Sequence, residues 1–455
     1  MFNLKNKRIA VYGMGVSGLS ALKFAHALNA DVLAINGGEP ISWAQKSGAL
    51  NYLPIEKCFS ESDPSLPLVL KKQDMIILSP GIPREHPVLL EAHKNKVKII
   101  GEIELAYLYL ESHSLLSPMV GITGTNGKTT STTFLGEMIQ SDQKSVFVGG
   151  NIGVPFCDYA YEVFSTQKKV DIILLELSSF QLESIENFHL DIAIILNLFQ
   201  NHGERYETLE DYGRAKFHIT NKFRAHDTLI YPGDFPIIKN WAQTQTGKKI
   251  EIDTSKLEID YNLDHFKLPG HHNKVNLAFI IKAAEVLGLK NESILHCINN
   301  FKGVHHRIEY VPSSKTLPNY KVYNDAKSTN WDATITAVKA MEEFHLPIHL
   351  IIGGKKRGHG DSILPYLEFL KERVFTFYLI GEMSSEIESE LKGKVSFKKT
   401  MTLEETLRVI KSNEEASKDG VLLFSPGFPS FDQFSNYAQR GERFVSLVTD
   451  SSSST

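Results

Sequence analysis

The stretch Gly121-Ile122-Thr123-Gly124-Thr125-Asn126-Gly127-Lys128-Thr129-Thr130 follows the apolar pair Met119-Val120 and precedes a helix-like run. That order of residue types holds the phosphates of a nucleotide. Glycines without a Cβ let the backbone curl so that successive N–H groups point at phosphate oxygens, Lys128 adds a positive charge, and Thr129 offers a hydroxyl to magnesium. The helix that follows adds its positive N-terminal end. The glycines fall at 121, 124 and 127 and Ile122 stands six before Lys128, so the loop is a variant of G-x-x-x-x-G-K-[ST]. It makes the chain an ATP or GTP user.

Three further side chains belong near such a loop. The apolar run at 172–175 ends in Glu176, a hard carboxylate at a strand end where magnesium needs oxygen ligands. His202 follows the apolar run at 192–196, and Lys216 lies in Tyr212-Gly213-Arg214-Ala215-Lys216-Phe217, which reads as the start of a helix. Taken alone, His202 is a hydrogen-bonded loop histidine and Lys216 a solvated cation. Nearer the N-terminus, Gly13-Met14-Gly15-Val16-Ser17-Gly18 follows a strand-like run and opens a helix, the setting of a pyrophosphate-binding G-x-G-x-x-G turn. A nicotinamide site also wants an acidic residue ending the second strand, where this chain has Asn36-Gly37-Gly38. The turn therefore reads as a site for another pyrophosphate ligand, with nicotinamide binding and a purely structural role as alternatives.

The elements that must position these residues alternate. β-branched runs at 8–12, 31–35, 74–78 and 97–100 are separated by helical patterns, with Leu19, Leu22, Phe24, Ala25 and Leu28 forming a face that lies on the sheet. Continuous apolar runs at 119–120, 172–175 and 192–196 form a second set, and runs at 320–323, 348–352, 376–380 and 421–424 a third. The fold class is α/β with three domains: an N-terminal Rossmann-like domain over 1–105, a central P-loop ATPase-like parallel sheet over 106–303, and a C-terminal Rossmann-like domain over 304–455. A chain of 455 residues agrees with three units at about 150 each. Phe431, Phe434, Tyr437 and Ala438 fall at helical spacing, so core packing competes with a ligand role there, and Ser430 reads equally as a helix cap.

Composition excludes other classes. With 42% hydrophobic and 22% charged residues and a formal net charge of -4, nothing marks a nucleic-acid or membrane partner. Cys58, Cys157 and Cys297 are too few and too scattered for a disulfide framework or a zinc site, so a cytoplasmic protein is expected. The serines at 451–454 read as a frayed tail.

Gly124-Thr125-Asn126-Gly127-Lys128-Thr129, the run from Glu176 to Glu183, the segment from His202 to Tyr206 and Arg214-Ala215-Lys216 occur here in the order and spacing seen in Mur ligases, ATP-dependent amide-forming enzymes of peptidoglycan precursor synthesis. The chain resembles that family over essentially its whole length. Gly149-Gly150-Asn151-Ile152-Gly153, Ser79-Pro80-Gly81-Ile82, Asp432-Gln433-Phe434 and Gln439-Arg440-Gly441 are similar to the member that adds D-glutamate to UDP-N-acetylmuramoyl-L-alanine. The resemblance implies those two substrates, with ATP as co-substrate, two magnesium ions (manganese as a substitute) and a monomer.

It also implies roles. Gly15, Val16, Ser17, Ser79, Pro80 and Gly81 would hold the UDP portion, and Asn151 the muramoyl group. Gly124 through Thr130, with His272, Asn273, Asn276, Arg307 and Asp325, would bind ATP. Metal ligands would be Thr129, Glu176, His202 and a carbamylated Lys216. Lys128, His202, Lys216, Arg307 and Lys327 would serve catalysis. Thr329, Arg357, Ser430, Phe431 and Tyr437 would receive the amino acid. The segment from Gly303 to Arg307 is the expected hinge. Four positions depart from the family pattern: Asn36 and Asn201 stand where acidic residues are common, Ala326 replaces a serine, and Arg357 replaces a lysine. An arginine fork is not an ammonium, which bears on amino-acid selection, as Asn36 bears on uracil contacts. The rival readings are a sibling ligase for another amino acid or for folate, a nucleotide switch without ligase chemistry, and a nicotinamide dehydrogenase.

Overall fold

In the computed structural model, residues 2–44, 50–203, 205–257, 259–312, 317–358, 361–412 and 419–449 are described. The serine run at 451–454 and Glu204 lie outside them. The chain forms two compact units, Met1–Ile259 with Asn276–Ile294, and Asp260–Val275 with Leu295–Thr455.

The first unit carries two sheets. Strands β1 (Arg8–Tyr12), β2 (Asp31–Asn36), β3 (Cys58–Ser60), β4 (Met75–Leu78) and β5 (Lys98–Gly101) are ordered β3-β2-β1-β4-β5. Strands β6 (Met119–Thr123), β7 (Val146–Gly150), β8 (Ile172–Glu176), β9 (Ile192–Ile195), β10 (Thr228–Pro232) and β11 (Lys248–Ile252) are ordered β11-β10-β9-β6-β8-β7. Every pairing in both is parallel. Residues of β4, β6, β8, β9 and β10 are buried throughout, as expected for strands covered on both faces by helices. On the helix Val16–Ala27, Leu22, Phe24 and Ala25 are fully buried, while Leu19 and Leu28 are partly buried against the same core.

The second unit has one sheet of β12 (Glu309–Val311), β13 (Tyr320–Asn324), β14 (Ile348–Gly353), β15 (Val374–Ile380), β16 (Phe397–Met401) and β17 (Gly420–Phe424), ordered β12-β13-β17-β14-β15-β16. Only β12 runs antiparallel to its neighbour. The helical stripe expected over 431–438 is not formed. Residues 431–436 are turns, the last helix begins at Tyr437 (Tyr437–Thr449), and Phe431 is 68% exposed. Apolar spacing over so few residues does not by itself make a helix, whose first turn fixes several dihedrals for one hydrogen bond.

Two buried carboxylates on the helix Glu102–Ser112 show how polar groups are accommodated within the first unit. Glu104, fully buried, accepts backbone N–H bonds from Glu186 (3.0 Å), Asn187 (2.8 Å) and Phe188 (3.0 Å), so its oxygens are met by oriented amides. Glu102 accepts such a bond from Cys157, and its Oε2 is buried without a hydrogen-bond partner. Burial therefore dominates and pushes the Glu102 carboxyl up to about 7. A raised acid binds its proton more tightly folded than unfolded, so the fold loses stability as pH rises from the unfolded value to about 7, and the loss persists above. Glu102→Gln, which keeps shape and acceptor but cannot ionise, should gain on the order of 2–4 kcal/mol relative to wild type between pH 5 and pH 8. Urea unfolding at the two pH values measures it; an unchanged difference would show that Glu102 is charged in the fold.

Candidate active site

The phosphate loop joins β6 to the helix Lys128–Ser141 in the middle of its sheet. Gly127 caps that helix at φ 81°, and a Cβ there would lie 2.4 Å from Asn276 Nδ2. Only glycine takes this backbone and leaves this room. Asn197, directly after β9 and Leu196, holds the loop from the neighbouring strand. Its Oδ1 accepts the backbone N–H groups of Thr125 (3.0 Å) and Asn126 (2.9 Å), and its Nδ2 donates to Asn126 O (3.1 Å).

Two lysines converge on one carbonyl. Lys128 Nζ donates to Gly124 O (2.9 Å) and Thr125 O (3.0 Å), and Lys216 Nζ donates to the same Gly124 O at 3.0 Å. Lys216 is 1% exposed, so its reading as a solvated cation is overturned. The helix that carries it, Leu209–Phe217, is capped by Thr208, which accepts from Asp211 N at 3.1 Å, and its inner face turns Lys216 into the sheet. Burial first, then the Lys128 charge, lower its pKa to about 6, with Glu176 opposing them. At neutral pH this is an amine. Its Nζ stands 4.3 Å from the centre of the Tyr212 ring.

Glu176 ends β8, which pairs with β6 in the register Ile122↔Glu176, so its carboxylate lies at the strand end beside the loop. Asn151 Nδ2 donates to Oε1 at 2.8 Å and Asn151 N to the Glu176 carbonyl at 2.9 Å, a turn made possible by Gly150 at φ 97°. Glu176 is 2% exposed, and its Oε2 has no hydrogen-bond partner. A buried carboxylate oxygen left open beside a hydroxyl-bearing phosphate loop suits a hard divalent cation. His202, at φ 56°, packs against Phe180 at 4.7 Å and Tyr212 at 5.9 Å between ring centres, the same tyrosine that underlies Lys216. Asn201 turns its Oδ1 onto His202 N at 2.9 Å.

At the N-terminal glycine turn, Ser79 Oγ donates to Gly13 O (2.6 Å), and Met14 N donates to Asn36 Oδ1 (3.1 Å). Asn36 thus braces the turn from the end of β2. Gly15 caps the helix Val16–Ala27, Val16 is 71% exposed, and Pro80 O accepts from Arg205 Nη1 at 3.4 Å.

In the second unit, Asp325 accepts from Ser425 Oγ (2.7 Å) and Ile308 N (3.2 Å), and burial pushes its carboxyl up to about 7. Lys327 Nζ lies 5.0 Å from the Tyr437 ring centre. Arg357 donates from Nε to Asp361 (2.9 Å) and from Nη1 to Thr329 O (2.6 Å), so its fork is oriented by protein groups and joins two of the expected amino-acid contacts. Ser430 is buried, and its carbonyl accepts from Gln433 N (3.2 Å) and Phe434 N (2.9 Å) in a turn. Arg307 lies in a short turn with its N–H on Val304 O (2.9 Å), flanked by His306 and Ile308 at positive φ. Asn273 Nδ2 donates to Pro269 O at 2.7 Å at the start of the helix His271–Val286.

Sequence reasoning passed over Asn197, Tyr212 and Arg440. Asn197 carried a usable signal, a polar residue just past the strand adjoining the phosphate loop. Arg440 stands in the Gln439-Arg440-Gly441 run that carries the resemblance, but nothing in the sequence marks its place: it is 1% exposed, with Nη2 on Ala326 O and Phe428 O (both 2.9 Å), an arrangement that depends on three distant segments. Asn197→Ala removes two bonds that fix the loop's donors and should weaken ATP binding by roughly ten- to a hundredfold, at about 1–1.5 kcal/mol each. Nucleotide titration by calorimetry on the folded variant reads this, and wild-type affinity would show the loop to be self-supporting.

The sequence matches the Mur ligase middle domain over residues 122–291 and the Mur ligase MurD-like N-terminal domain over residues 7–101. It is 34% identical over 471 residues to the UDP-N-acetylmuramoylalanine--D-glutamate ligase of Koribacter versatilis, with 98% of each chain covered. It is 34% identical over 463 residues to the protein of the same name from Bacillus cereus, again with 98% of each covered. Among solved structures it is similar to UDP-N-acetylmuramate-alanine ligase from Thermotoga maritima (TM-score 0.54, 19% identity, 98% of this chain and 100% of that one). It is also similar to MurF ligase from Thermotoga maritima in complex with ADP (TM-score 0.56, 16% identity, 98% and 95%). At these identities the structural likeness carries the fold alone. The sequence matches take in both the phosphate loop and the N-terminal glycine turn over nearly the full length, and on them the chain belongs to the Mur ligase family.

Proposed function

We propose that this ligase joins D-glutamate to UDP-N-acetylmuramoyl-L-alanine at the expense of ATP, acting as a cytoplasmic monomer. The observation that carries the reading is the open Glu176 oxygen beside a phosphate loop that holds two lysines on one carbonyl, together with two relatives of that name at 34% identity. Among the described residues no helix is long and apolar enough to cross a membrane.

A carboxylate resists an amine because it is anionic and its oxygen leaves poorly. Transfer of the ATP γ-phosphoryl to the alanyl carboxylate forms a new P–O bond, breaks the bond to ADP, and gives an acyl phosphate. The D-glutamate amine then attacks the carbonyl carbon, loses a proton, and expels phosphate from a tetrahedral intermediate. Lys128 and the loop amides hold the phosphates and offset charge in the transition state. The neutral Lys216 amine adds to carbon dioxide, releases a proton, and becomes a carbamate, an oxygen donor beside His202. Thr129, Glu176, His202 and carbamylated Lys216 would hold two magnesium ions, which when bound neutralise charge on the phosphoryl oxygens. Gly15, Val16, Ser17, Ser79, Pro80 and Gly81 receive UDP, and Asn151 the muramoyl portion. His272, Asn273, Asn276 and Asp325 serve ATP, Arg307 and Lys327 serve catalysis, and Thr329, Arg357, Ser430, Phe431 and Tyr437 hold D-glutamate. The domains are 1–105, 106–303 and 304–455.

Phosphate release with ATP, magnesium and UDP-N-acetylmuramoyl-L-alanine should be stimulated by D-glutamate and not by L-glutamate, L-alanine or L-lysine. Equal stimulation by all four would remove the amino-acid assignment. For Lys216, equilibration with carbon-13 bicarbonate should give a carbamate signal by NMR that persists as pH falls toward about 6, where the amine protonates, and that is absent in Lys216→Ala. That variant should lose about a hundredfold or more in kcat, the scale of a removed charge-stabilising group. A fully active Lys216→Ala would dismiss the carbamate.

A further inference from the structure

At the opposite end of the central sheet from the phosphate loop, three potential metal ligands meet. His189 and Asp191 lead into β9, and Asp227 leads into β10, adjacent strands paired in the register Thr228↔Ile192. One ligand atom from each of His189, Asp191 and Asp227 lies within 4.8 Å of the others. His189 Nε2 stands 2.8 Å from Asp227 Oδ2, which also accepts from Arg224 N. Asp191 Oδ2 accepts from Met119 N at 2.7 Å, so the cluster is tied to the start of β6 as well.

An acidic pair beside a histidine is common without a metal. The second observation is Asp227 itself. Its side chain is 0% exposed, yet Oδ1 accepts no hydrogen bond. That oxygen faces Nε2 of His226, 3.5 Å away on a side chain that is 68% exposed. A buried carboxylate oxygen normally has a hydrogen-bond partner, and Asp227 Oδ1 accepts no hydrogen bond while the other oxygen of the same carboxylate meets His189, which leaves it available to an ion.

We infer that His189, Asp191 and Asp227 form a site for a borderline divalent transition metal, zinc by preference, distinct from the magnesium site at the phosphate loop. One imidazole nitrogen and two carboxylate oxygens, with a water in the fourth position, are a donor set that zinc accepts and magnesium does not favour. Two carboxylates balance the dipositive charge. Because the ligands come from the segments preceding β9 and β10, the ion fastens these strands at their N-terminal ends and takes no part in the ligase reaction.

The full chain is stripped with a chelator and titrated with zinc alone, in competition with a chromophoric chelator and under excess magnesium, which keeps hard oxygen sites out of the reading. Cobalt replaces zinc in a parallel titration read by visible absorption. One equivalent of zinc should bind, and cobalt should give the intense absorption of a tetrahedral site. His189→Ala should weaken zinc binding at least about tenfold, and Asp227→Asn at least about a hundredfold, as expected when a ligand is lost, with circular dichroism showing both variants folded. Both should leave the metal-free ligase rate with magnesium unchanged, which keeps this result separate from the functional proposal. No bound zinc, or folded His189→Ala and Asp227→Asn proteins with wild-type zinc affinity, overturns the site and leaves the His189–Asp227 contact as a hydrogen-bonded clasp.

Discussion

Two amine side chains directed at one backbone oxygen cannot both carry full charge in a dry pocket, and the active-site half of this molecule follows from how that conflict is resolved. Lys128 and Lys216 both donate to Gly124 O. Lys216 has lost its water, and its pKa falls to about 6, equivalent to on the order of 5 kcal/mol against its charged form. Lys128, only partly buried at the loop's rim, is placed to meet a phosphate. The difference between two chemically identical groups is thus set first by burial, and then by the repulsion that the Lys128 charge exerts on Lys216. The same burial leaves Glu176 with one oxygen tied to Asn151 and one open.

The surrounding backbone is constrained accordingly. For Gly124 O to face both lysines the loop must turn inward, and its outward N–H groups are then held from below by Asn197, which contacts both sides of the Thr125–Asn126 peptide region. Gly127 must be left-handed to start the helix at Lys128, and the side of Gly127 that would bear a Cβ is filled by Asn276. Lys216 reaches the loop only because Thr208 starts its helix at a fixed point and Tyr212 provides an aromatic wall one turn earlier. Small side chains and caps here act on the geometry of one carbonyl.

Strands flanked on both sides were plain in the sequence, since a strand covered by helices must be apolar at every position. Runs at 8–12, 172–175, 192–196 and 348–352 correspond to β1, β8, β9 and β14. Missed strands are mostly edges. β11 reads Lys-Lys-Ile-Glu-Ile, β3 has three residues, and β16 is partly exposed, because a strand with one neighbour can carry lysines and show no apolar run. β10 escaped for another reason: it is fully buried but ends in Pro232, a residue that normally argues against a strand. Around the site, Gly124 to Thr130 and Glu176 could be placed from strand–loop order. The burial of Lys216 could not, because a lysine at helical spacing looks the same whether its helix faces water or the sheet. Ala326 shows the reverse: it departs from the family pattern at a fully buried position, and its methyl simply joins an apolar cluster with Val322, Phe424 and Phe444.

The second unit rests on a different device. Gly353 and Gly354, at φ 125° and 147°, pass so close to their neighbours that a Cβ on Gly354 would meet Pro429 O at 2.3 Å and Arg440 Nη1 at 3.0 Å. Beneath them Arg440 keeps Nε and Nη1 without hydrogen-bond partners while Nη2 spans Ala326 O and Phe428 O. Burial lowers even this guanidinium to about 10, and it remains charged at neutral pH. A fixed positive centre under a glycine turn favours anions above that turn, while Arg357, already oriented by Asp361 and Thr329, supplies a second cation in a set direction. Replacement of a lysine by Arg357 therefore changes the shape of the donor without removing its charge, and the orientation imposed by Asp361 compensates for the longer, planar head group. If this region receives the amino acid as proposed, selection between dicarboxylic and neutral side chains would follow from electrostatics that the substitution leaves intact, and selection by stereochemistry from where that fork is held.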